Sequence, residues 1–142
     1  MAEVLVAAVD NSPLAVTVME RAVEYARRGD AELHVLHVFH PPVSIYALES
    51  GFALEAEALE ESERSAVWAR LTEPLEASGV NWIRVDRQGY PASQITAYAD
   101  EVDADLVIVG TRGRGEFAAL VLGSTSHGVI HDAPCDVLVV RT

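Results

Sequence analysis

Five short apolar runs, each followed by a turn and then by residues at helical spacing, restrict this chain to one kind of architecture. The runs Val4–Val9 and 33–39 contain no charged residue, as strands buried on both faces do. Residues 106–109 and 137–140 are shorter runs of the same kind, and 81–87 is more polar, which suits a sheet edge. Asp10-Asn11-Ser12-Pro13 reads as a turn, with Ser12 as helix N-cap and Pro13 at the first helical position. Ala15, Val18, Met19, Ala22, Val23 and Ala26 then form one apolar stripe that Gly29 ends. A long acidic helix is predicted over 53–78, with Val67, Leu71 and Leu75 facing inward and Gly79 as its stop. Its glutamates between Glu49 and Glu63 read as a solvated face. Gly89-Tyr90-Pro91 leads into a third helix with Ile95, Tyr98, Ala99 and Val102 on one side, and a short fourth helix follows Gly123. Regular alternation of this kind predicts an α/β fold: an open sheet of five parallel strands with helices on both faces, in one domain over 1–142. Ligands of such sheets lie beyond the carboxyl ends of the strands, where the strand order reverses. Asp10 and Gly110 both stand at such ends.

The run Leu106-Val107-Ile108-Val109-Gly110 continues through Thr111-Arg112-Gly113 and, after nine residues, reaches Gly123-Ser124-Thr125-Ser126. A strand that ends on glycine, a second glycine close behind and a third before a Ser/Thr-rich helix start form a backbone cradle for an anion. Glycine lets peptide N–H groups approach oxygens closely, and free N–H groups at a helix start favour negative charge. The phosphates of a nucleotide are the expected occupant; the structural counterpart is a glycine placed only for tight helix-to-strand packing. Arg112 and Arg114 flank Gly113 and read either as bidentate partners for phosphate oxygens or as a solvated pair balancing an acidic surface.

Charge excludes several classes. Twenty-two acidic residues face ten basic ones, a net charge of −12, and all ten are arginine. So acidic a chain is a poor non-specific binder of nucleic acid, which needs cations to neutralise phosphates. Acidity of this order is also how halophilic proteins stay soluble; GC-rich codon usage accounts for the arginines equally well. Without lysine there is no Walker A loop, no kinase strand lysine and no Schiff base. No apolar run approaches the ~20 residues that cross a bilayer, and Met1-Ala2-Glu3 has neither the basic region nor the cleavage site of an export signal. With Cys135 as the single cysteine, the expectation is a cytoplasmic protein without membrane or nucleic-acid partners.

Gly110-x2-Gly113-x9-Gly123-Ser124 is similar to the ATP-binding signature of the universal stress protein family. The opening strand with Asp10-Asn11-Ser12, the segment Leu36-His37-Val38 and the closing passage from Ala133 to Val140 resemble that family in order and separation. The resemblance implies a sheet of order 3-2-1-4-5 and dimers formed through the last strand, whose ends are Val137 and Val140. It implies ATP, with or without Mg²⁺, held between the first and fourth strands, with AMP or another adenine nucleotide as alternatives. Asp10 then meets the ribose or the adenine edge, unless it only caps the first turn. Ala8 lines the same wall, and Val38 offers backbone groups and an apolar edge to adenine. Val109 and Gly110 lie under ribose and phosphates. Gly113, Gly123, Ser124 and Thr125 hold the triphosphate, with Ser126 as a further contact. Asn11 departs from the glycine common there and alters the turn after Asp10.

The expected role is a nucleotide-dependent stress-response module acting on a protein partner, with nucleotide ordering the loop between Gly113 and Gly123. Two other readings are a dimeric interaction module of the same family without nucleotide, and an adenine-nucleotide hydrolase. The second is disfavoured because no Ser-Gly-Gly loop follows the first strand. No residue is marked as a general base: Glu116 and His127 are near the phosphates in sequence only, so any hydrolysis is expected to be slow. His127 and His131 stand four apart without a third ligand, which does not make a dedicated metal site. His34, His37 and His40 read as structural, the first and third on one strand face and the second on the other. Cys135 reads as a small buried apolar residue.

Overall fold

The computed structural model describes residues 2–41, 53–111 and 123–141, with side chains from Glu55 onward in the second stretch. The strands are β1 (Val4–Val9), β2 (Glu32–Phe39), β3 (Trp82–Gln88), β4 (Leu106–Gly110) and β5 (Asp136–Val140). They form one sheet in the order β3-β2-β1-β4-β5. Every pairing is parallel, with Ala7 opposite Val35 on one side and Ile108 on the other. Among the described residues the helices are α1 (Leu14–Gly29), α2 (Ala53–Ala77), α3 (Pro91–Glu101) and α4 (Ser124–Asp132). The expected fold class and strand order are those observed, with strand ends displaced by about one residue. The polar run is the edge strand β3.

Alternation along the strands divides the core into two layers, because successive side chains leave a strand on opposite faces. Leu5, Ala7, Val35 and Ile108 pack under α1 and α2, with Val67, Leu71 and Leu75 of α2 fully buried there. Val6, Leu36, Val107 and Val109 pack under α3 and α4, against Ile95, Ala99 and Val129. Pro74 lies inside α2 and removes one helical hydrogen bond, yet Leu71 and Leu75 on either side of it remain fully buried. Gly79 ends the helical region with φ +76, a left-handed value that glycine adopts without steric cost.

The ends of α1 differ from the sequence expectation. The N-cap is Pro13, with no side-chain cap, so Ser12 does not cap the helix through its hydroxyl. The Ser12 N–H instead donates to Asp10 Oδ1 at 2.9 Å, a local turn that competes with a cap. Gly29 is the last helical residue, and the left-handed position is Asp30 at φ 50, one of the few side chains that tolerates it.

Gly110 is closely packed. A Cβ there would stand 2.7 Å from Leu14 Cδ2 and 3.1 Å from Val18 Cγ2, so a side chain at this crossing of α1 and β4 has to displace Leu14. The buried histidine His34 is fully engaged. The Tyr98 hydroxyl donates to its Nδ1 and its Nε2–H donates to Glu32 Oε1, both at 2.6 Å. Arg87 lies over the Tyr98 ring and donates to Glu101. That bond holds the Glu101 carboxyl below its ordinary range and raises Arg87. Cys135 is half-buried against the α3–α4 layer; burial, then the charges of Asp136 and Asp105, push its thiol above its ordinary value.

Two outcomes are expected. Gly110→Ala forces Leu14 or the backbone to move and destabilises by about 1–3 kcal/mol, read as a lower urea midpoint at unchanged slope. The Cys135 thiol keeps its proton to higher pH folded than unfolded, so the folded state binds more protons above the unfolded thiol's pKa. Stability therefore falls as pH rises from about 8.5 through the folded value, and Cys135→Ala flattens that alkaline limb in unfolding curves measured across pH.

Candidate functional site

Because β1 hydrogen-bonds to β2 on one side and to β4 on the other, the chain leaves the two central strands in opposite directions. A crevice opens at their carboxyl ends, as in other sheets where the strand order reverses. A cleft of about 820 Å³ occupies this place. Its floor is apolar: Ala8 ends β1 on the α3–α4 side, Val38 lies two residues beyond Leu36 on β2, and Val109 is buried beside Gly110.

Each polar wall is set by local backbone chemistry. Asp10 follows β1 directly and is exposed, with one carboxylate oxygen accepting the Ser12 N–H. Arg70 of α2 fixes that turn from outside, its Nη2 donating to the Ser12 carbonyl at 2.7 Å. Across the cleft α4 begins after Gly123, which has extended backbone and no side-chain cap. The N–H groups of Ser124, Thr125 and Ser126 therefore lack helical acceptors, and the positive end of the helix dipole faces the space. The Ser126 hydroxyl is not a fresh donor, since it already donates to the Gly123 carbonyl at 3.1 Å. Ser124 is exposed and Thr125 half-buried at the same edge.

The structure thus brings Ala8, Asp10, Val38, Val109, Gly110 and Gly123 to Ser126 onto one cleft. Arg112, Gly113, Arg114, Glu116 and the loop to Leu122 lie outside the described residues. Among the described residues no arginine lines the cleft, so its donors there are main-chain N–H groups, hydroxyls and the Asn11 side-chain amide. The Gly110 contact with Leu14 makes packing a sufficient reason for that glycine, whatever occupies the cleft.

Sequence does not mark every wall residue: Pro91, Ile95 and Thr111 also line the cleft. Glu63, which reads with its neighbours as solvated surface, lines it too and accepts a hydrogen bond from the buried His37 at 2.9 Å. The pairing joins residues 26 apart in sequence, and an acidic helix gives no local signal of which glutamate turns inward. His127 and His131 lie on the outer side of α4, both exposed, with ring centroids 5.0 Å apart. Among the described residues no group of three or more His, Cys, Asp or Glu is placed to hold a metal ion.

Solved structures share this fold. The universal stress protein UspA from Lactobacillus plantarum superposes with a TM-score of 0.85, covering 98% of this chain and 97% of that one at 24% identity, a likeness of fold. A universal stress protein in complex with cAMP superposes with a TM-score of 0.71, covering 99% and 97% at 25% identity. In sequence, the universal stress protein MJ0531 of Methanocaldococcus jannaschii is 31% identical over 93% of this chain and 78% of its own length. The universal stress protein YxiE of Bacillus subtilis is 30% identical over 96% of this chain and 97% of its own. The model of the universal stress protein family matches residues 1–141. With fold and sequence in agreement over residues 1–141, the protein belongs to the universal stress protein family.

Proposed function

We propose that this chain binds an adenine nucleotide in the cleft and that occupancy regulates its interaction with a protein partner during stress. The observation that carries the reading is the pairing of uncapped N–H groups at the start of α4 with the Asp10 carboxylate across one crevice. Anions are favoured at the first site and hydrogen-bond donors at the second, the two ends of a nucleoside phosphate. A related protein of the same fold was solved with cAMP, which supports the ligand class. ATP is the form proposed, with AMP as an alternative carrying the same base and sugar. Gly110, Gly123, Ser124 and Thr125 are the proposed contacts of the phosphates, and Arg112 and Gly113, outside the described residues, are proposed as further ones. Mg²⁺ fits as a companion of the phosphates, drawing on their oxygens and the nearby hydroxyls, and would neutralise their charge beside an acidic protein.

Pairing of two copies along β5 is part of the proposal. β5 is an edge strand, and Val137, Leu138 and Val139 along it are only half-buried. Such an edge is covered when a second strand adds to it. Among the described residues no helix is long and apolar enough to cross a membrane, in keeping with the cytoplasmic location proposed.

Denaturing the purified protein and weighing what is released is expected to yield adenine nucleotide near one per chain. At one hundred times Kd, added ATP stabilises by about 2.7 kcal/mol and raises the melting temperature by several degrees. Asp10→Ala weakens ATP about tenfold or more in calorimetric titration, and Gly113→Val abolishes binding with circular dichroism unchanged. A folded protein that releases no nucleotide and takes up none would leave the family's interaction module without nucleotide as the answer.

A further inference from the structure

The cleft is acidic at one end and rich in N–H donors at the other, and the acidic end is built more firmly than a surface carboxylate requires. Glu63 projects from α2 and is bonded to His37 of β2, whereas α4 packs on α3 and β5. Strands β1 and β4 lie between β2 and β5, a separation of about 14 Å at ordinary strand spacing. A ligand that meets both ends has its anionic part at α4 and a neutral part at Glu63.

Glu63 is held in place. The His37 ring is 2% exposed, and its Nε2–H donates to Glu63 Oε2 at 2.9 Å. Its other nitrogen stands 3.7 Å from Asp86 Oδ1. Asp86 is itself fixed by the Trp68 Nε1–H and the Arg84 Nε–H, each donating at 2.8 Å. A glutamate on an exposed helix face loses several rotatable bonds of freedom when it grips a ligand; this one has already lost them. Its second oxygen, Oε1, meets no donor among the described residues. An ionised carboxylate only accepts hydrogen bonds, so what it can take from a ligand is an N–H or O–H.

We infer that Glu63, positioned by His37, is a specificity-determining residue of the cleft that accepts a hydrogen bond from the nucleoside part of the ligand. The inference rests on the nucleotide reading above. Two groups on an adenosine offer that chemistry, the exocyclic amine of the base and the hydroxyls of the ribose, and analogues separate them. Inosine triphosphate lacks the amine; dideoxy-ATP lacks both sugar hydroxyls.

The full-length chain, its Glu63→Ala and its Glu63→Gln are titrated calorimetrically with ATP, inosine triphosphate and dideoxy-ATP, with thermal melts as a check on folding. Glu63→Ala is expected to weaken ATP about tenfold or more and to leave unchanged the affinity for whichever analogue lacks the donor. Glu63→Gln, which keeps the shape and an acceptor for His37, is expected to fall between. Should Glu63→Ala melt too low to titrate, the same comparison is made with Glu63→Gln, where a selective loss supports the inference. An equal loss for all three ligands marks Glu63 as only a tie between α2 and β2 and overturns the inference, as does no loss for any. Failure of the unaltered protein to bind any of the three overturns the nucleotide reading and this inference with it.

Discussion

Hydrogen bonding along both edges of β1 is the constraint from which the site follows. β2 and β4 flank it in the same direction, so their connections must run over opposite faces of the sheet. One face receives α1 and α2, the other α3 and α4. Nothing in the sheet itself fills the line where those connections diverge. The apolar floor, the Asp10 turn and the start of α4 meet there because three separate strand ends arrive at the same edge.

Close packing holds this arrangement. The approach of α1 to Gly110 brings Leu14 and Val18 against the backbone of β4. The same approach sets where the turn after β1 can lie, and Arg70 of α2 ties that turn down through the Ser12 carbonyl. Residues with no polar role therefore decide where a polar one stands. Because interiors pack at crystal-like density, a methyl added at Gly110 meets Leu14 and Val18 at once.

The sheet was legible in the sequence because buried parallel strands leave unbroken apolar runs and α1 leaves a stripe at helical spacing. Much of the cleft was legible too: Asp10, Gly110 and the Gly123-Ser124-Thr125-Ser126 start stand at element boundaries that turn chemistry marks. What was hidden depended on contacts distant in sequence. Ser12 reads as a cap from its neighbours alone, and only the folded turn shows its N–H taken by Asp10. Gly110 reads from sequence as a cradle or a packing glycine alike, and only the fold shows Leu14 and Val18 against it. Glu63 is one of many glutamates on α2, set apart only by a histidine on another element.

The contact between the last two helices has a mechanical consequence. A side chain at Gly128 would stand 2.8 Å from the Ala92 Cβ, so α4 rests on α3 with no compliant layer between them. α3 in turn meets β3 and β2 through Tyr98, which lies under Arg87 and bonds to His34, so close contact runs unbroken from the cleft to the far margin of the sheet.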